Sequence, residues 1–199
     1  MRKAEWKVPG VALIIASLFL AGCGQLASPT PKPLPRLIID DSVANDFATL
    51  AQATWQQFLK VFRARTDCFG DVYLHAATDL SSRAAYDPKT ETVTVRVPGT
   101  QAMLQSALTH EWAHHIEFQC PAQKEMRAAF LVAQGLPPDT LWRPDDTPAN
   151  TPESQWAKIP SEQYAEATIE VVLGGRQIPT TAWVTPEAVR VIEQWAAGH

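Results

Sequence analysis

Apolar residues at Phe47, Leu50, Ala51, Trp55, Phe58, Leu59 and Phe62 recur at the spacing of a single helical face. The stretch 42–64 is therefore predicted to be one long amphipathic helix, with Ser42 or Asp41 as its cap. The period then changes. "GDVYLHAA" and "ETVTVRVP" are short runs rich in β-formers, the second alternating Val93, Val95 and Val97 against Thr92, Thr94 and Arg96. "YDPKTE" carries turn residues, so residues 82–97 predict a hairpin. Pro98-Gly99 ends that strand, and Thr100 is placed to cap a helix from Gln101 to about Phe118. A further helix is expected from Pro121 through Val132, closed by Gly135. From 135 to 160 proline recurs and no periodicity survives, which predicts a long loop. Two closing helices follow, Ser161 to Leu173 and Pro186 to Trp195.

The chain begins with a basic leader, "MRKAEWKVPG", and an apolar core, "VALIIASLFLAGC". That core is about a dozen residues, against the roughly twenty a helix needs to cross a bilayer, and so reads as a secretory signal. Its end, Leu20-Ala21-Gly22-Cys23, resembles the lipobox of bacterial lipoproteins. The resemblance implies a signal peptide over 1–22, cleavage before Cys23 and lipid on Cys23. It also implies a bacterial cell-envelope location, tethered to a membrane with the domain outside the cytoplasm. A plain secreted protein with a stray cysteine is the alternative. Pro29, Pro31, Pro33 and Pro35 make 23–36 an extended spacer, leaving 37–199 as one domain.

Charge narrows the partners. The formal net charge is −4, and loss of the leader makes it more negative, since Arg2, Lys3 and Lys7 leave with only Glu5. Without a basic stripe, nucleic acid is excluded as a partner. Cys68 and Cys120 remain in the domain. An even pair in an exported chain predicts a disulfide, worth roughly 4 kcal/mol in the chain-entropy model; two buried free thiols are the alternative.

The candidate chemistry lies in "HEWAH". On the helix 101–118, His110 and His114 stand one turn apart on an arc shared with Met103, Ala107 and Phe118 and extended by Leu104 and Leu108, so both imidazoles are expected to face the core. Each can offer a ring nitrogen at about 2 Å to one zinc ion, with Glu111 at the edge of the arc near any water on the metal. The alternative is a helix simply rich in histidine, His115 included. A third ligand must come from elsewhere, and Glu162 and Glu166 head an apolar stripe that continues through Ile169 and Leu173. Glu162 as ligand, with Glu166 accepting from the distal nitrogen of a ligand histidine, would answer for both carboxylates. In isolation the pair also reads as an acidic first turn capped by Ser161.

These residues together resemble the gluzincin branch of the zincin metallopeptidases, in which H-E-x-x-H is followed by E-x-x-[AS]-D on a later helix. The resemblance places the metal histidines on His110 and His114, the general base on Glu111, and the metal glutamate on Glu162. The small residue falls on Ala165 and the histidine-orienting acid on Glu166, where the family usually has aspartate. It covers about Val72 to Leu173. It implies an α+β fold, a minimal zincin-like domain with a small mixed or antiparallel sheet packed on the active-site helix and further C-terminal helices. It also implies one zinc ion per chain and a peptide or protein substrate laid along an edge strand, "TVTVRV" or "RAAY". His114 is followed by "HIEFQC", so the metzincin extension is missing.

The expected activity is that of a zinc-dependent endopeptidase. Two other readings stay open: a zinc-binding envelope lipoprotein of low or no activity that binds a protein partner, and a metal-free structural or binding domain. No sequence signal assigns the donor to the substrate carbonyl oxygen, since Tyr164 points away from Glu166 on the helical wheel and neither Tyr86 nor His115 has better support. Trp142 and Trp156 lie in the proline-rich loop, where they could wall the cleft or block it.

Overall fold

The computed structural model describes residues 33–144 and 151–199. The signal segment 1–22, Cys23, most of the spacer and residues 145–150 lie outside the described residues. The fold is α+β. Its elements are β1 (Leu37–Ile39), α1 (Asn45–Val61), β2 (Val72–Ala77), β3 (Ala84–Asp87), β4 (Thr92–Arg96) and α2 (Gln101–Gln119). After them come α3 (Gln123–Ala133), α4 (Glu153–Trp156), α5 (Pro160–Leu173) and α6 (Pro186–Ala196). Among the described residues, no helix is long and apolar enough to cross a membrane.

The mixed sheet has the order β1-β2-β4-β3, with β1 and β4 parallel to β2 and β3 antiparallel to β4. Alternation sets its faces: Val72, Leu74, Val93 and Val95 are fully buried, while Tyr73 is exposed. The apolar side belongs to one core with α1 and α2, built on Trp55, Phe58, Phe69 and Trp112. Trp55 and Trp112 meet edge to face at 4.9 Å, and Phe58 reaches Trp112 at 5.5 Å. Each such side chain is worth about 1.5–3 kcal/mol of burial, which fixes α2 against the sheet.

Three expectations need correction. Helix α1 begins at Asn45 with Ala44 at its cap and no side-chain cap bond, so neither Ser42 nor Asp41 serves there. Ser42 Oγ instead accepts the Ala76 N–H at 2.8 Å and meets His75 Nδ1 at 3.0 Å. Asp40 meets that same ring nitrogen at 2.7 Å, so Asp40, Ser42 and His75 form a clamp between β2 and the loop after β1. Second, the histidine arc of α2 is buried but only part of it meets the core: Leu104, Ala107 and Leu108 join the core, whereas the histidines open onto a cleft. That helix is buried around most of its girth, with Leu108, Trp112 and Ile116 on the core side, while Ala107, His110, Glu111, His114 and Phe118 line a cleft. Third, the loop from 135 to 160 is interrupted by the short helix α4. Strand β1 was not expected at all; three residues are too few to alternate, and it exists through its pairing with Val72–Leu74.

Cys68 and Cys120 are joined in a disulfide with Cα atoms 4.7 Å apart. It ties the residue that ends α2 to the connection between α1 and β2.

Candidate metal centre

Helix α2 reaches the cleft because Thr100 caps it, accepting the Met103 N–H at 3.3 Å, and because no proline or glycine interrupts it through Gln119. Helix α5 packs on α2 and starts with Pro160 in its first turn, a position that tolerates the missing N–H. The two helices enclose a cleft of about 490 Å³, whose other wall is Ser82, Arg83, Ala84 and Tyr86 on and before the edge strand β3.

His110, His114 and Glu162 come together at the base of this cleft. Glu162 Oε2 lies 3.1 Å from His110 Nε2 and 3.2 Å from His114 Nε2, and the two nitrogens are 3.2 Å apart. Each histidine is held from behind. His110 Nδ1 lies 3.0 Å from Glu166 Oε1, and His114 Nδ1 lies 2.9 Å from Glu117 Oε2. Arg143 Nη2 also stands 2.9 Å from His114 Nδ1, so a donor competes there with the acceptor. With a proton on each Nδ1, donated to its glutamate, two ring lone pairs and a carboxylate oxygen converge on one point. Such a convergence requires positive charge. Protons on the imidazoles can supply it, and so can a cation: the three buried residues could hold a metal ion, their ligand atoms all lying within 4.8 Å of one another. Two imidazoles and one carboxylate suit a divalent transition metal.

The electrostatics of the cluster favour that charge. Burial opposes protonation of His110, but hydrogen bonds to Glu162 and Glu166 outweigh it and raise its pKa to about 10. His114 is raised against the same burial by Glu162 and Glu117. Burial acts to raise Glu162 too, yet the two histidines hold it below the usual carboxylate range. Glu117, although buried, is held down to about 2 by His114 and Arg143.

Glu111 differs from these carboxylates. It lines the cleft beside the cluster, and it has no hydrogen-bond partner among the described residues. Burial raises its pKa above the ordinary value, with the histidines working the other way. A desolvated, unpartnered carboxylate facing a cleft can accept and return a proton.

Four residues complete the site without having been singled out for these contacts in the sequence. Glu117 follows His114 by three positions, a spacing that puts it within reach on the same helix. Arg143 places Nε and Nη2 on the two oxygens of Glu117, both at 3.1 Å, and Nη1 3.1 Å from Glu162 Oε1. Arg176 forms an ion pair with Glu166. It returns to the cleft through Gly174 and Gly175, whose φ values of 72° and 147° favour glycine. Trp156 stacks on His110 with centroids 5.7 Å apart. Nothing in a proline-rich stretch marks Arg143 or Trp156 for these roles.

The tyrosines are spent elsewhere. His115 Nε2 donates to the Gly70 carbonyl at 3.2 Å, so its Nδ1 accepts from the Tyr86 hydroxyl at 2.9 Å, and Gln119 donates to the Tyr86 oxygen at 3.1 Å. Tyr164 is fully buried against Phe130 and Trp142, away from the cleft lining. Comparison of the chain with protein-family models, with curated proteins and with solved structures finds no significant match.

Proposed function

We propose that this chain is a zinc-dependent peptidase, an endopeptidase that works on extended peptide segments in the bacterial cell envelope, where lipid on Cys23 tethers it to a membrane. One observation carries the reading: among the described residues Glu111 has no hydrogen-bond partner, and it stands beside a cluster of three ligand atoms that could hold a metal ion. A structural role for that carboxylate would give it a partner, because an unpaired buried charge is costly. Zinc held by His110, His114 and Glu162 would supply Lewis acidity toward the scissile carbonyl and make a nearby water more acidic.

The chain's own residues do the rest. Glu111 takes a proton from the attacking water and returns it to the amide nitrogen as the C–N bond breaks, so water is consumed and a carboxylate and an amine are released. Glu166 and Glu117 hold the two imidazoles in the tautomer that turns Nε2 toward the cleft. Strand β3 pairs with β4 on one side and is the last strand of the sheet, which leaves its other edge for a substrate backbone. Phe118 is 46% exposed at the cleft and offers an apolar contact to a substrate side chain.

A second reading, a zinc-binding lipoprotein of low activity that holds a protein partner, draws on the tyrosines. With the Tyr86 proton committed to His115 and Tyr164 outside the cleft lining, neither is free to stabilise a carbonyl oxygen. The Glu111→Gln substitution separates the two. It should leave zinc content unchanged and lower peptide cleavage by about 10²–10⁴. Zinc-loaded wild-type protein that cleaves no member of a broad peptide library establishes the second reading. Equal cleavage by Glu111→Gln removes the proposed base.

A further inference from the structure

Arg143 reaches the ligand cluster from a segment that belongs to neither of its helices. Its Nε and Nη2 grip both oxygens of Glu117, and its Nη1 engages Oε1 of Glu162. The neighbouring Trp142 reinforces the grip: its indole N–H donates to Glu117 Oε1 at 3.0 Å, and its carbonyl accepts the Ser161 N–H at 3.0 Å in the first turn of α5. One guanidinium thus spans the carboxylate that orients His114 and the carboxylate of the ligand set. A planar fork can do this because its donors have fixed directions; an ammonium group cannot match both oxygens of one carboxylate and still reach another.

The consequence lies in how Glu162 can bind a metal. A carboxylate ligates through one oxygen or through both. Here Oε2 faces the two histidine nitrogens, while Oε1 is occupied by Arg143. We infer that Arg143 is a positioning residue for the metal centre: it holds Glu162 to ligation through a single oxygen and, through Glu117, fixes the orientation of His114. The inference rests on the metal-binding half of the function proposed above and is independent of peptide cleavage. It also gives Trp142 and Arg143 a task beside the ligand cluster.

Metal titration of the full-length protein tests it. Arg143→Gln should weaken zinc affinity by about 10- to 100-fold, the usual effect of losing a group that orders a ligand. Substituted with cobalt(II), the variant should show weaker visible absorption than wild type, because a freed Glu162 can ligate through both oxygens and raise the coordination number. Arg143→Lys should restore little of either property, since charge without the fork does not hold two carboxylates. Glu117→Gln combined with Arg143→Gln should weaken zinc by less than the two single losses multiplied together, because the pair share one contact while Arg143 also acts on Glu162 directly. Circular dichroism of each metal-free variant checks the fold, and Arg143→Lys, which keeps the charge, carries the test if Arg143→Gln does not fold. Wild-type zinc affinity and an unchanged cobalt spectrum in a folded Arg143 variant overturn the inference alone. Wild-type protein that takes up neither metal overturns the metal reading itself, and this inference with it.

Discussion

The two histidines of the cleft are backed by the same sequence of groups, a glutamate and then an arginine, yet the two chains are built differently. His110 leans on Glu166 from a second helix, and Glu166 pairs with Arg176 just beyond the end of that helix. His114 leans on Glu117 from its own helix, and Glu117 pairs with Arg143 from a distant segment. The first chain therefore depends on how α5 docks against α2. The second depends on a spacing of three residues along α2 and on the position of Trp142 and Arg143. Arg143 alone among the two arginines also touches the candidate ligand Glu162. Equivalent chemistry at the ring nitrogens can thus be supported by tertiary packing on one side and largely by local helix geometry on the other.

Breaking the point where the chains meet should have the largest effect. His110→Ala, His114→Ala and Glu162→Ala should each abolish stoichiometric metal in the purified protein, as read by elemental analysis; a variant that keeps a full equivalent would remove that residue from the ligand set. Cutting one chain behind its histidine should matter less. Glu166→Ala should weaken zinc affinity by about 10- to 100-fold in a competition titration with a chromogenic chelator. Glu166→Asp should also bind more weakly than wild type, because Oε1 of the longer side chain already sits at 3.0 Å from His110 Nδ1 and a shortened acid falls back from it. Tighter binding by the aspartate variant would mean that α5 moves to accommodate it.

How much of this arrangement the sequence disclosed follows from the range of each interaction. His110, Glu111 and His114 were legible because one helix carries them at fixed spacing, and Glu162 and Glu166 because two acids on an apolar stripe ask for a partner. Glu117 was equally within reach by spacing and was overlooked beside the more prominent His115. Arg143 and Arg176 were not legible, since loop residues acquire their contacts from the path of the backbone and leave no period, whereas Trp156 was marked as a possible wall of the cleft without its stacking on His110. Strand β1 escaped for a related reason: its hydrogen bonds go to residues 72–74, far along the chain. That the buried histidines open onto a cleft was not legible, because apolar residues surround the helix and no single stripe separates core from cleft.

The smallest expected effect sharpens the difference between the chains further. Trp156 stacks on His110, whereas among the described residues the ring that meets His114 is that of His110, edge to face. Its removal in Trp156→Ala should cost about 0.5–1.5 kcal/mol of contact, a several-fold loss of zinc affinity by the same competition titration, with the order of the other variants preserved. A loss as large as that of Glu166→Ala would show that the indole, and not the carboxylate, sets the plane of that imidazole.

The bond between Cys68 and Cys120 bears on how this site breathes. Helix ends are the first parts of a helix to open, and amide hydrogens there ordinarily exchange with solvent through fraying. At the end of α2 the residue that closes the helix, Cys120, is covalently fastened to another part of the chain, less than two turns beyond His114. The amides of Ile116 through Gln119 are then expected to exchange slowly in oxidised protein and to become labile on reduction, while the capped start of the helix keeps its protection.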